Sequence, residues 1–207
     1  MPLQSDDTLL FIGDSITDCG RDRQSDGPDS LGGGYVNEIA RQLAMRQPPH
    51  EGWIRNRGNS GNRIYDIEQR LDADCLSLQP SVVFILAGIN DVWRKFDSGV
   101  VSEIAEFQAS FQRILERVRS EIGARIVILE PFLLPVPEDR RAWRVDLDPK
   151  IHGIRELAAK YASVYVPLDG LFAAECCHSP AAHWLPDGVH PSEAGHQLIA
   201  QAVLSRL

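Results

Sequence analysis

The chain has 207 residues, 43% hydrophobic and 24% charged, with a formal net charge of -8 at pH 7 and a pI near 5.2. That balance suits a single globular domain over residues 1–207 with a sizeable core. It argues against nucleic acid or an anionic membrane surface as the main partner. No apolar run approaches membrane-spanning length, and Met1–Asp7 carries acids where a signal peptide needs basic residues, so the expected compartment is the cytoplasm.

Four cysteines fit that compartment. Cys19 and Cys75 are isolated, and the adjacent Cys176 and Cys177 do not readily bridge to each other. With His178 and His183 the pair makes a small metal-capable cluster, but the Cys-x2-4-Cys knuckle usual for zinc is absent. The thiols are read as free, and neither metal nor organic cofactor is expected.

In chain order, Leu9–Ile12 is an unbroken apolar run, the mark of a strand buried on both faces, and it ends abruptly in Gly13-Asp14-Ser15. A polar, glycine-rich loop over 19–34 follows, then a helix over about 35–45 with Val36, Ile39, Ala40 and Leu43 on one face, stopped by Gln47-Pro48-Pro49. A short strand, 53–56, turns through Arg57-Gly58-Asn59-Ser60-Gly61-Asn62 into a helix running from Ile64 toward Cys75. Residues 82–87 give the strongest strand signal and end in Gly88-Ile89-Asn90-Asp91. Helical spacing over 101–122 closes at Gly123 as a C-cap. A fourth strand, 126–129, precedes a long loop over 132–149, and a helix with Ile151, Ile154, Leu157 and Tyr161 leads to a fifth strand at 164–168. Trp184-Leu185-Pro186-Asp187-Gly188-Val189-His190-Pro191 opens the last helix. This alternation predicts an α/β fold, a parallel sheet with helices on both faces.

The carboxyl ends of parallel strands share one edge of the sheet, where ligands bind. Ser15, Gly58 and Asn90 follow the first three strands, and Asp187 and His190 precede the last helix. Each has a bland reading: Ser15 as a helix cap, Gly58 as a turn, Asn90 as a loop brace, Asp187-Gly188 as a turn before a helix. Their joint placement favours chemistry. A serine hydroxyl needs a base to take its proton; His190 titrates near neutrality, and Asp187, three residues earlier, can hold its other ring nitrogen. The Ser15 and Gly58 N–H groups and the Asn90 amide supply three donors for an oxyanion.

Gly13-Asp14-Ser15, Gly58, Gly88-Ile89-Asn90-Asp91 and Asp187-Gly188-Val189-His190-Pro191 together resemble the four ordered blocks of the SGNH hydrolases, the GDSL esterase/lipase superfamily. The resemblance implies a three-layer α/β/α sandwich with a five-stranded parallel sheet of flavodoxin-like type. It also implies a triad of Ser15, Asp187 and His190, with Ser15, Gly58 and Asn90 as oxyanion donors. Ile16 stands where the signature has Leu, and Thr17 replaces the second Gly of the α/β-hydrolase elbow, which argues against that fold.

Gly34-Tyr35, Asn56-Arg57-Gly58 and Asn90-Asp91-Val92-Trp93 further resemble the acetylxylan-type carbohydrate-esterase branch. Expected of the chain is therefore serine esterase activity on small acetyl esters, carried by a small-molecule substrate such as an acetylated oligosaccharide. Tyr35, Trp93 and Trp184 are candidates for stacking on a sugar, or else partly buried packing. Asp14 is a candidate at the site but reads better as a brace for the turn. The Phe132–Pro137 segment can cover a short acyl chain or bury itself in a homo-oligomer. A lysophospholipase or acyl-thioesterase, a non-catalytic sugar-binding protein and a metal-dependent phosphoesterase remain as alternatives.

Overall fold

The computed structural model describes residues 1–25, 27, 30–46 and 53–207, so the Gln47-Pro48-Pro49 helix stop lies outside the described residues. Five strands form one parallel sheet: β1 (Leu9–Gly13), β2 (Ile54–Gly58), β3 (Val82–Leu86), β4 (Arg125–Leu129) and β5 (Val164–Val166). Their order is β2-β1-β3-β4-β5, with Gly13 level with Gly58 on one side and Leu86 on the other. Order reverses at β1, so the crevice beyond its carboxyl end is the switch point where ligands sit in open α/β sheets.

Alternation along each strand divides the core in two. Leu9, Phe11, Phe84 and Val127 face one layer, where helices α2 (Tyr35–Ala44) and α10 (Glu193–Leu204) contribute Val36, Ile39, Ile199 and Val203. Leu10, Ile12, Ile85 and Ile128 face the other, where α3 (Ile64–Gln69) and α6 (Ile104–Arg117) contribute Ile64, Ile67, Phe111 and Ile114. Strands buried on both faces must be apolar at every position, which is why they read as unbroken runs.

Between these elements, α1 (Ser15–Asp18) follows β1 directly, and α4 (Leu71–Asp74) continues α3 after a break at Arg70. The helix expected over 101–122 is α6, preceded after Gly88 by an unanticipated α5 (Ile89–Ser98) and ending in a wider turn, Val118–Ile122, before Gly123. In α5 the apolar residues Ile89, Val92, Trp93 and Phe96 recur at helical spacing, with Ile89 and Val92 buried, so this helix carried a signal in sequence.

The loop expected over 132–149 is much shorter. A tight helical turn occupies Glu138–Trp143, and α7 (Arg144–Tyr161) takes in Pro149. Proline there removes only a bond to the Val145 carbonyl, and Val145 is 72% exposed, where water can replace it. Phe132, Leu133 and Leu134 are not a surface flap: they lie in the core, Phe132 against Phe172 at 4.5 Å between ring centroids. Two further helices, α8 (Leu168–Glu175) and α9 (Ala181–Trp184), bring the chain to α10. No described helix is long and apolar enough to cross a membrane, and the four cysteines are free.

Candidate active site

The turn from β1 into α1 is built around Gly13. A Cβ there would come within 2.5 Å of the Leu86 carbonyl and closer still to Thr17 Oγ1, so only glycine lets the helix fold back over the strand end. Asp14 caps the helix, its Oδ1 accepting from the Ile16 N–H at 3.0 Å. Ser15 thereby becomes the first residue of α1, with its hydroxyl toward the crevice.

His190 Nε2 lies 3.0 Å from Ser15 Oγ, and His190 Nδ1 lies 2.7 Å from Asp187 Oδ2. Asp187 Oδ1 also accepts from the backbone N–H groups of Val189 (3.0 Å) and His190 (2.7 Å). Burial works to raise the Asp187 pKa, but the hydrogen bonds from His190 and these two amides outweigh it and hold the carboxyl well below its ordinary value. It therefore stays ionised. The His190 pKa is raised, first by the bond to Asp187; burial opposes the shift, the Asp14 charge assists it and the Arg140 charge opposes it.

Two devices hold this loop. Gly188 takes a left-handed conformation (φ 83) and packs so close to the Leu134 carbonyl that a Cβ would lie 2.5 Å from it. Leu134 N–H donates to the Gly188 carbonyl at 2.9 Å, so the chain after β4 braces the histidine. That is the part the Phe132–Leu134 segment plays.

The oxyanion side differs from expectation. Gly58 N–H is already engaged, donating to Asn56 Oδ1 at 2.8 Å, and a Cβ on Gly58 would come within 2.6 Å of Asp18 Cα. Gly58 is a point of close packing between β2 and α1, and its amide is not available to a substrate. Three residues on, Gly61 (φ 84) has open space where a Cβ would point. Asn90, 4% exposed, donates from Nδ2 to the carbonyl of the adjacent Asn62 at 3.1 Å and keeps a second amide hydrogen. Asn90 therefore stands beside Gly61, not Gly58.

Three side chains set this turn, and of these sequence reasoning missed Arg70 and the bracing roles of Asn56 and Asp18. Asn56 Nδ2 donates to the carbonyls of Thr17 (2.7 Å) and Leu31 (2.8 Å). Asp18 Oδ2 accepts from Ser60 N–H and Oγ–H and from Arg23. Arg70 donates to the Gly13 and Arg57 carbonyls and to Asn62 Oδ1, clamping the ends of β1 and β2 to the turn. The polar run 56–62, too rich in hydrogen-bonding groups for a plain turn, hinted at this bracing in sequence.

Of the four candidate binding residues, three are held by the fold itself. Tyr35 is 1% exposed, its hydroxyl 2.9 Å from Thr17 Oγ1 and its N–H donating to His196 Nδ1, so its ring is core and meets no substrate. Asp14 is 0% exposed and serves the turn; burial pushes its pKa up to about 7 against the opposing Ile16 hydrogen bond and the His190 charge. Trp184 packs against the α2/α10 side of the core with Nε1 buried and unpartnered. Trp93 does stand at the site, its ring 5.7 Å from that of His190, but the Arg140 guanidinium covers it at 4.4 Å.

With this geometry in view, three comparisons bear on the chain. Residues 11–198 match the model of the GDSL-like lipase/acylhydrolase family. An acetylxylan esterase of Geobacillus stearothermophilus is 32% identical over 215 residues, spanning 100% of this chain and 96% of the relative. The crystal structure of that organism's acetylxylan esterase Axe2 superposes with a TM-score of 0.88 at 30% identity, covering 100% of this chain and 96% of the other. Axe2 has also been solved as a catalytic mutant carrying alanine for a serine. A putative GDSL-like lipase from Parabacteroides merdae superposes with a TM-score of 0.90 at 33% identity, covering 99% and 97% of the two chains.

Proposed function

The chain belongs to the GDSL-like lipase/acylhydrolase family and is a serine esterase, and on that premise we propose that Ser15, His190 and Asp187 remove acetyl groups from acetylated sugars. The observation that carries the residue assignment is the unbroken relay Ser15 Oγ, His190 Nε2, His190 Nδ1, Asp187 Oδ2, at 3.0 and 2.7 Å.

Ser15 Oγ attacks the acetyl carbonyl while His190 Nε2 takes its proton. The ionised Asp187 stabilises the imidazolium and fixes the tautomer that points the basic nitrogen at Ser15. The oxyanion is met by the Ser15 N–H, the Gly61 N–H and the free hydrogen of Asn90 Nδ2, Gly61 replacing Gly58 because the latter's amide is engaged. The bond to the sugar oxygen breaks as His190 returns its proton to that oxygen. Water, deprotonated by His190, then attacks the acetyl-serine, acetate leaves, and Ser15 regains its proton.

A small acyl group is supported by the burial of Phe132–Leu134: the segment expected to cover an acyl chain is spent in the core and offers no apolar surface to a long one. A carbohydrate alcohol is supported by the activity named for the Geobacillus relative. Initial rates on acetylated xylo-oligosaccharides, on p-nitrophenyl esters of rising chain length and on lysolipids, with Ser15→Ala as control, test this reading. The expected result is turnover of the sugar acetates, a steep fall beyond butyrate and no turnover by Ser15→Ala. Faster hydrolysis of long-chain lysolipids would overturn it.

A further inference from the structure

Beside the triad opens a cavity of about 410 Å3, lined among others by Trp93, Phe96, Asp97, Asp139, Arg140 and Trp143. Arg140 is its unusual member. Its guanidinium carbon lies 4.4 Å from the centroid of the Trp93 ring and 3.9 Å from that of Trp143, and Trp93 in turn faces His190. Its Nη1 is buried without a hydrogen-bond partner, and among the described residues Arg140 forms no ion pair.

The neighbouring cations are otherwise engaged. Arg94 pairs with Asp97, Lys95 with Asp146, Arg141 with Glu138 and Arg144 with Asp169. A guanidinium resting against two indoles that meet edge to face, one ring away from the base, is pre-organised for a planar anion and loses little freedom on binding one.

We propose that Arg140 forms a carboxylate subsite, so that the preferred substrates are acetyl esters of uronic-acid-bearing sugars. This rests on the deacetylase reading above. The acetyl group is neutral, so the carboxylate belongs to the alcohol side of the ester, where it meets the guanidinium with charge-assisted hydrogen bonds. A single negative charge suits the cavity better than a phosphate dianion. Asp97 is neutralised by Arg94, but Asp139 is exposed at the rim beside Arg140 and would oppose a second charge.

The test is the ratio of kcat/KM for an acetylated xylo-oligosaccharide carrying a glucuronic acid branch to that for its neutral counterpart, a ratio that cancels any general loss of activity. The wild-type ratio is expected to be roughly tenfold, the gain a charge-assisted hydrogen bond supplies, and to fall with added salt. Arg140→Gln brings it toward one, Arg140→Lys keeps part of it, and Arg141→Gln leaves it intact. A wild-type ratio near one, or a ratio unmoved in Arg140→Gln, overturns the subsite.

If neither oligosaccharide is hydrolysed while p-nitrophenyl acetate is, the sugar-ester reading fails. The subsite is then decided by inhibition of p-nitrophenyl acetate turnover by glucuronate, glucose and glucose 6-phosphate. Stronger inhibition by glucuronate than by either of the others, lost in Arg140→Gln, supports it. Equal inhibition, or stronger inhibition by the phosphate, overturns the carboxylate assignment.

Discussion

Asp14→Asn separates the two parts a carboxylate can play beside a nucleophile. In the folded protein the carboxyl is fully buried, Oδ1 accepts one hydrogen bond and Oδ2 has no partner. Burial therefore lifts its pKa from 3.8 to about 7. At about 1.4 kcal/mol per tenfold in the protonation equilibrium, the ionised form costs roughly 4 kcal/mol relative to the unfolded chain. The sign follows from the folded state binding the proton more tightly. Asp14 costs nothing below about pH 4, and its penalty grows as pH rises and levels off above about 7. Asparagine keeps the capping oxygen without the charge. Urea denaturation of both proteins from pH 4.5 to 8.5 should show the Asn variant gaining on wild type with pH, by up to roughly 4 kcal/mol less the cost of seating the extra amide hydrogens. Because the Asp14 charge also helps raise the His190 pKa, the acid limb of activity should move to lower pH in the variant. A stability difference that stays constant across the range would refute the argument that Asp14 is a buried, reluctant acid.

Further outcomes follow from the site. With the His190 pKa raised by Asp187 and the base required neutral, kcat/KM in wild type should rise with pH through a midpoint above 6.5, and a midpoint below 6.5 in a pH–rate profile would count against the pairing. Asn90→Ala should lower kcat by roughly 10²–10³-fold with KM little changed, as loss of one oxyanion donor does; a loss confined to KM would contradict its placement. Gly58→Ala forces a methyl group against the backbone of Thr17 and Asp18, so its thermal unfolding temperature should fall sharply, whereas Gly61→Ala, with open space but a left-handed backbone, should cost only about 1–2 kcal/mol.

The sheet could be read from sequence because β1 and β3 are buried on both faces and so are apolar throughout. The relay was legible because its members sit at strand ends and in one short loop, where chain order and three-residue spacing bring Asp187 and His190 together. What escaped was set by side chains from elsewhere. Gly58 and Gly61 look alike in sequence, and only the Asn56 amide, returning to bond Gly58, decides which backbone N–H stays open. Tyr35 reads as an aromatic near the site until Thr17 claims its hydroxyl inside the core. Trp93 looks like a free sugar platform until Arg140, far along the chain, lies across it. The short helices α8 and α9 bury too few residues to show a period, Pro149 disguised the start of α7, and α5 was overlooked although Ile89, Val92, Trp93 and Phe96 recur at helical spacing.

The central claim is that Ser15, activated by His190, is the residue that becomes acylated. Labelling with a fluorophosphonate and mapping the adduct by peptide mass spectrometry tests it most directly. One adduct per chain, on Ser15, formed rapidly in wild type and hardly at all in His190→Ala, is the predicted result. An adduct on another residue, or equally fast labelling of Ser15 without His190, would contradict it.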